Sequence, residues 1–196
     1  MKHCDQFRSG LYTGKGDGGT TKVIDSKERF SKASVLAETL GSLDELNAFV
    51  GFCKMRAQVL GEPSLPRGKK SFPVSAILRE IQENLFILQA EVAGAKKKLT
   101  RTKVTGVEAR IAEIEAIIPP ITSFSIAGGT ELSAMLDVAR TVARRTERRL
   151  VEVHQSELRK VGEHSRAYAN RLSSLLFALA RFVNHSAGVK EESPRY

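Results

Sequence analysis

Tryptophan is absent from this chain of 196 residues, and it holds two cysteines and three tyrosines. Cys4 and Cys53 are too few and too scattered for a disulfide framework or a zinc site, which fits a reducing cytoplasm. Cys53 is expected on the core face of a helix. Aromatic stacking platforms for single-stranded nucleic acid are poorly supplied. No apolar run approaches the length of a membrane span. The opening MKHCDQFRSG lacks the apolar core of a secretory signal. HExxH, a Cys/His cluster and G-x-S-x-G are all missing. No pair of carboxylates announces general acid–base chemistry. His3, His154, His164 and His185 are scattered and read as surface or core histidines. An enzyme with this sequence would mostly bind and position, leaving the reactive group to a cofactor or substrate.

What is present is positive charge. Lys and Arg number 31 against 22 Asp and Glu, a formal net charge of +9. That implies an anionic partner: nucleic acid, nucleotide phosphates or an acidic protein. A content of 41% hydrophobic and 27% charged residues is ordinary for a soluble globular chain. The length suits one domain.

The chain is organised around FSIAGGTELSAMLDVARTVARRTERRL, residues 124–150. A Gly-Gly turn opens a helix there. Leu132, Met135, Ala139, Val142, Thr146, Leu150 and Val153 recur at steps of three and four and make one core-facing stripe. At 3.6 residues per turn, Arg140, Arg144 and Glu147 share an adjoining face, while Arg145 and Arg149 point away. Guanidinium forks match phosphate oxygens better than a point charge does. The cluster therefore reads as a polyphosphate grip at a helix or subunit seam, against the plainer reading of a solvated basic face.

Before it, GLYTGKGDGGTT at 10–21 matches G-x-G-x-x-G without the strand and helix that motif requires, and it is no Walker loop. Its glycines still free successive N–H groups for an anion nest, with threonine hydroxyls, Lys15 and Lys22 nearby. Composition alone equally allows a disordered terminal arm. Helices are expected over 34–60, with Ser34 as N-cap and Gly61 as terminator, over 74–98, from a Thr105/Glu108 capping box to Ile118, and over 163–187. Lys96, Lys97 and Lys98 read as the solvated C-terminus of the second of these. Asp44 and Glu45 read either as solvent-facing or, for one of them, as partner to an arginine of the central helix. Residues 61–73 read as a loop. No segment shows a strand's period. Five amphipathic helices imply an all-α, antiparallel bundle. It would comprise an arm over 1–33, the bundle over 34–187 and a loose tail over 188–196.

YTGKGDGGTT, ETLGSLDELNAFVG, FSIAGGTELSAMLDVARTVARRTERRLV and NRLSSLLFALAR, in that order, resemble the PduO-type ATP:cob(I)alamin adenosyltransferases. The resemblance implies a five-helix bundle assembled as a homotrimer with intersubunit sites. It implies transfer of the 5′-deoxyadenosyl group of ATP to reduced cobalamin, giving adenosylcobalamin and triphosphate, with magnesium carried on the nucleotide. It places Tyr12, Thr13, Gly14, Lys15, Gly16, Asp17, Gly18, Gly19, Thr20 and Thr21 around the phosphates. It adds Lys32, Arg144, Arg145, Glu147, Arg148 and Asn170 as ATP contacts. Asp44 and Arg140 resemble an intersubunit ion pair, and Phe124 the aromatic residue that crowds the lower face of cobalt. Gly14, Ala127 and Ser174 depart from the usual family residues. The implied partners are ATP, reduced cobalamin and other copies of the chain, with a cobalamin-dependent enzyme or a reductase as a further partner. Neither nucleic acid nor a membrane is among them. The alternatives are an adenosylcobalamin carrier or sensor without turnover, and a basic helical nucleic-acid-binding protein. The latter would spread its arginines along one exposed face.

Overall fold

The structure is a computed structural model, and it describes residues 11–24, 26–67 and 70–196. His3 and Cys4 lie outside the described residues. Five helices form the body: α1 (Val35–Leu60), α2 (Val74–Val92), α3 (Arg101–Glu115), α4 (Glu131–Gln155) and α5 (Glu163–Ser186). α1 packs on α2 and α4, α4 on α5, and α5 on α3. The alternation of direction is visible in the cross-links. Thr39 and Thr146 hydroxyls donate to the carbonyls of Arg149 and Ser42, at 3.1 and 3.0 Å, so α1 and α4 are antiparallel. Glu147 meets Asn170, and Thr130 meets Asn184, so α4 and α5 are antiparallel too. α3 lies along α5 in the same sense. Its Glu108 pairs with Arg171, and Pro119, just past its end, meets Arg181. The long connector before α4 permits that return.

The expected stripe of α4 is buried except for Met135, which is half-buried, and Leu136 and Ala143 join it in the core. Thr146 can occupy an apolar stripe because its hydroxyl finds a carbonyl there. Cys53 is fully buried, and burial pushes its thiol pKa up to about 12. Tyr168 is buried as well, with Asn84 donating to its hydroxyl at 3.2 Å.

Helix ends follow local chemistry. Ser34 caps α1 through the Ala37 N–H, and Gly61 closes it in the left-handed region. Thr130 caps α4 through the Ser133 N–H at 3.2 Å. α2 is shorter than its periodicity implies. Gly94, at φ 99, follows the C-cap, and Ala95 N–H donates to the Ala90 carbonyl at 2.8 Å. That is a Schellman closure, so Lys96, Lys97 and Lys98 lie in the connector to α3 and not on a helix. α3 begins at Arg101, ahead of the Thr105/Glu108 pattern. Thr105 bonds backward to the Thr102 carbonyl inside the helix and caps nothing. α5 lacks a capping side chain of its own at Gly162. The Glu91 carboxylate of α2 replaces it, accepting from Gly162 N–H at 2.8 Å and from the Ser165 hydroxyl.

Two small hairpins accompany the helices. β1 (Thr20–Thr21) pairs with β2 (Phe30–Ser31), and β3 (Ser64–Arg67) pairs with β4 (Lys70–Pro73), both antiparallel. The second occupies the stretch read as a loop, with Leu65 opposite Phe72. The tail is a correction as well. Of Gly188–Tyr196, read as loose, the part up to Ser193 is held, with bonds from Val189 N–H to Asn184 O and from Ile126 N–H to Glu192 O at 2.9 and 2.8 Å, while Tyr196 is fully exposed.

Candidate functional site

The arginines of α4 separate onto two sides, as its helical period requires. Arg145 pairs with Glu45 of α1. Arg149 pairs with Glu152 at 2.8 Å and with Glu38 of α1 at 3.6 Å. Arg145 thus ties α4 to α1, and Arg149 is held mainly within its own helix, with Glu38 as a longer cross-link. Of the acidic pair on α1, Glu45 therefore partners the central helix, while Asp44 is exposed. Arg145, expected among the nucleotide contacts, does not share a face with Arg144 in this protomer.

On the other side, Arg144, Glu147 and Arg148 line a surface groove with Val151, Glu152 and Gln155. Asn170 Nδ2 of α5 donates to Glu147 Oε1 at 2.7 Å. Arg171 donates to Asn170 Oδ1 and, at 3.1 Å, to Glu108. Glu147 is thereby aimed along the groove wall. Among the described residues, no carboxylate pairs with Arg144 or Arg148. The Arg148 guanidinium leans back on the Arg144 carbonyl at 3.2 Å. Two guanidinium groups with open hydrogen-bonding positions make this face an anion acceptor.

Arg140 sits one turn earlier. Its Nε donates to the largely buried Asp137 at 3.1 Å, and its guanidinium lies 5.7 Å from the Phe177 ring. Only Nε is engaged by a carboxylate among the described residues. Asp44 lies on the outward side of α1, in a shallow apolar groove with Leu40, Gly41 and Phe86. Asp44 and Arg140 do not meet within one chain.

The glycine arm is folded. Asp17 N–H donates to Gly14 O and Gly19 N–H to Gly16 O, giving two successive turns. Gly14 and Gly19 take φ of 65 and 76 degrees, which only glycine adopts cheaply. Lys32 N–H donates to Gly19 O at 2.9 Å, and its ammonium stands 3.0 Å from where a Gly16 Cβ would be. Arg29 holds the Thr20 hydroxyl and carbonyl at 2.8 and 2.6 Å. The arm is anchored by buried Val23 and by Ile24 N–H on the Ala93 carbonyl at 3.1 Å. Tyr12, Thr13, Lys15, Asp17 and Gly18 are exposed, and Thr21 is half-buried. Among the described residues, no hydrogen bond or ion pair joins this arm to Arg144, Glu147 or Asn170. Arg29 and Glu91 carry no motif: Arg29 acts through the hydroxyl and carbonyl of Thr20, and Glu91 through the start of α5.

Phe124 lies in the connector before α4, and it is 79% exposed. Gly128 and Gly129 follow at φ 131 and 100 degrees. Among the described residues, no helix is long and apolar enough to cross a membrane.

Comparison with known proteins finds relatives along most of the chain. The model of the cobalamin adenosyltransferase family matches residues 11–183. The corrinoid adenosyltransferase of Bacillus subtilis is 36% identical over 183 residues, 91% of this chain and 89% of that protein. The cobalamin adenosyltransferase of Cupriavidus metallidurans is 36% identical over 181 residues, 92% of this chain and 91% of that one. A phenylalanine-to-alanine variant of the PduO-type ATP:corrinoid adenosyltransferase from Lactobacillus reuteri, complexed with cobalamin and ATP, superimposes with a TM-score of 0.81. It is 28% identical, and the match covers 95% of this chain and 99% of that one. An arginine-to-lysine variant from the same organism, complexed with ATP, gives a TM-score of 0.78 at 29% identity, covering 94% of this chain and 99% of that one. With its five-helix body, its folded glycine arm and its divided arginine helix, this chain belongs to the cobalamin adenosyltransferase family.

Proposed function

We propose that the Arg144 groove and the glycine arm are two walls of one ATP site, completed between copies of the chain. The enzyme transfers the 5′-deoxyadenosyl group of ATP to cob(I)alamin, giving adenosylcobalamin and triphosphate. The observation that carries the site is the division of α4. Arg145 is paired with Glu45 of α1, and Arg149 with Glu152 of its own helix and Glu38 of α1, whereas Arg144 and Arg148 face solvent beside an oriented Glu147. Among the described residues, no hydrogen bond or ion pair joins arm and groove within one chain, so one nucleotide contacting both fits a homotrimer with shared sites.

No nucleophilic side chain is needed. Reduced cobalt of the substrate brings the electron pair, the new bond forms to the 5′ carbon, and the C–O bond to triphosphate breaks. The chain's work is to hold the 5′ carbon in line and to stabilise charge on the departing triphosphate. Arg144, Arg148 and Lys32 supply cations for that charge, and the turns at Gly14–Gly19 supply backbone N–H donors. Glu147 and Asn170 fix the groove wall. Magnesium, which prefers phosphate and water oxygens, fits as part of the nucleotide. The described residues gather no trio of His, Cys, Asp or Glu to cage it separately. Phe124 would crowd the lower face of the corrin. Arg140, whose Nη groups meet no carboxylate among the described residues, is open to Asp44 of another copy, as an intersubunit ion pair.

Mixing protein, MgATP and chemically reduced cobalamin tests this directly. A light-sensitive cobalt–carbon product with one triphosphate per turnover is expected. Tight binding of adenosylcobalamin without turnover would favour the carrier reading.

A further inference from the structure

Beyond Gly188 the chain turns back on the bundle. Gly188 N–H donates to His185 O at 3.0 Å and Val189 N–H to Asn184 O at 2.9 Å, a Schellman closure that redirects it. The segment then lies against the connector between α3 and α4. Ile126 N–H donates to Glu192 O at 2.8 Å, and the hydroxyls of Ser123 and Ser193 are 2.8 Å apart. Arg181 of α5 is buried beneath both. Its Nε donates to the two Glu191 oxygens at 2.8 and 3.1 Å, and its Nη2 donates to Pro119 O at 3.0 Å. One guanidinium thus bridges tail and connector.

Phe124 sits between Ser123 and Ile126, the two residues tied to the tail. Among the described residues, the hydrogen bonds made by 121–126 go to the tail alone. Gly128 is held separately by Asn184 and Ser133. Without the tail, the backbone around Phe124 would have no fixed partner until the glycine turn.

We infer that the tail segment from Gly188 to Ser193 positions Phe124, and that Arg181 and Glu191 are positioning residues for the corrin half of the reaction. This rests on the role proposed above for Phe124. Among the described residues, no hydrogen bond or ion pair joins the tail to the Arg144 groove, so its release separates corrin chemistry from ATP binding. The pair joins a buried arginine to a half-buried carboxylate, and removing the carboxylate leaves a largely desolvated cation that must find water.

The test compares wild type, Glu191→Ala and Glu191→Gln as full chains. Three readouts are needed: hydrogen exchange of the Ile126 amide, ATP affinity by calorimetry, and turnover starting from cob(II)alamin with a reductant. In Glu191→Ala, Ile126 protection and turnover should each fall about tenfold, with ATP affinity within about twofold of wild type, as expected for a misplaced group remote from the nucleotide. Glu191→Gln keeps one acceptor oxygen and should fall between. Unchanged Ile126 protection in Glu191→Ala, or ATP affinity lost in step with turnover, overturns the inference. A wild type that makes no adenosylcobalamin overturns the enzymatic reading instead, and the Ile126 amide alone then decides whether the tail holds the connector.

Discussion

Asn184 Oδ1 accepts from Thr130 N–H at 2.9 Å, and it stands 2.5 Å from where a Cβ on Gly129 would be. The same side chain donates to Gly128 O at 2.8 Å. A single α5 residue therefore fixes the turn that launches the arginine helix. Gly129→Ala would meet both this contact and an unfavourable φ of 100 degrees. It should destabilise the fold by about 2–4 kcal/mol, with strain and overpacking adding. Urea unfolding of the variant measures it.

Arg144→Ala should leave stability within about 0.5 kcal/mol, because the residue is exposed and has no protein partner to lose. Turnover should drop by roughly 10²–10³, the usual loss when one donor to developing charge is removed. Steady-state kinetics with calorimetric ATP binding would check it, and near-normal activity would remove Arg144 from the site.

At the arm, the expected effect is steric. Gly16→Ala places a methyl group 3.0 Å from the Lys32 ammonium. A flexible side chain can swing aside at little cost to stability, but the ammonium leaves its place. The KM for ATP should rise by about tenfold, on the order of 1.4 kcal/mol, with a smaller change in kcat. Equal KM values for variant and wild type would detach Lys32 from the nucleotide.

Phe124→Ala should leave ATP affinity within about twofold, since the ring is remote from the arginine groove and makes no core contact to lose. Adenosylation starting from cob(II)alamin should be crippled. Loss of ATP affinity would refute the assignment.

The Cys53 thiol gives a pH dependence with a definite sign. Burial raises its folded pKa to about 12, above the ordinary value of 9.0. Below the ordinary value both states are protonated and the full stability is present. As pH climbs from there, the unfolded thiol ionises first, so the folded state binds more protons and stability falls until the folded thiol ionises too. The slope contributed is at most about 1.4 kcal/mol per pH unit. Tyr168 is shifted the same way by burial and adds to the decline. Cys53→Ala should flatten the loss between about pH 9 and pH 11, read as urea midpoints.

Much of the bundle was legible from periodicity. The stripe of α4, the Ser34 and Gly61 limits of α1 and the start of α5 at Glu163 all follow from spacing and caps. The end of α2 was misread: the expected helix runs to Lys98, whereas Gly94 closes it just after Val92. β3 and β4 escaped notice because four-residue strands carry too little alternation to compete with Pro, Gly and Ser in the same stretch. At the site, helical period separated Arg144 from Arg145. It could not say which carboxylate of α1 would take Arg145, since Asp44 and Glu45 differ by 100 degrees of rotation and only packing chooses between them. The tail's grip on the connector was invisible. Backbone-to-backbone bonds between distant segments leave no pattern in the residues that make them.

The carboxylates of α1 have an effect beyond joining two helices. Together with Glu152 of α4, they pair Arg145 and Arg149, which leaves Arg144 and Arg148 as the arginines of that helix without a carboxylate partner among the described residues. At the proposed site, a polyphosphate diffusing nearby is drawn toward those two guanidinium groups. Capture should slow as added electrolyte shortens the screening distance, to about 8 Å at physiological ionic strength. Release, governed by short contacts inside the groove, should change far less.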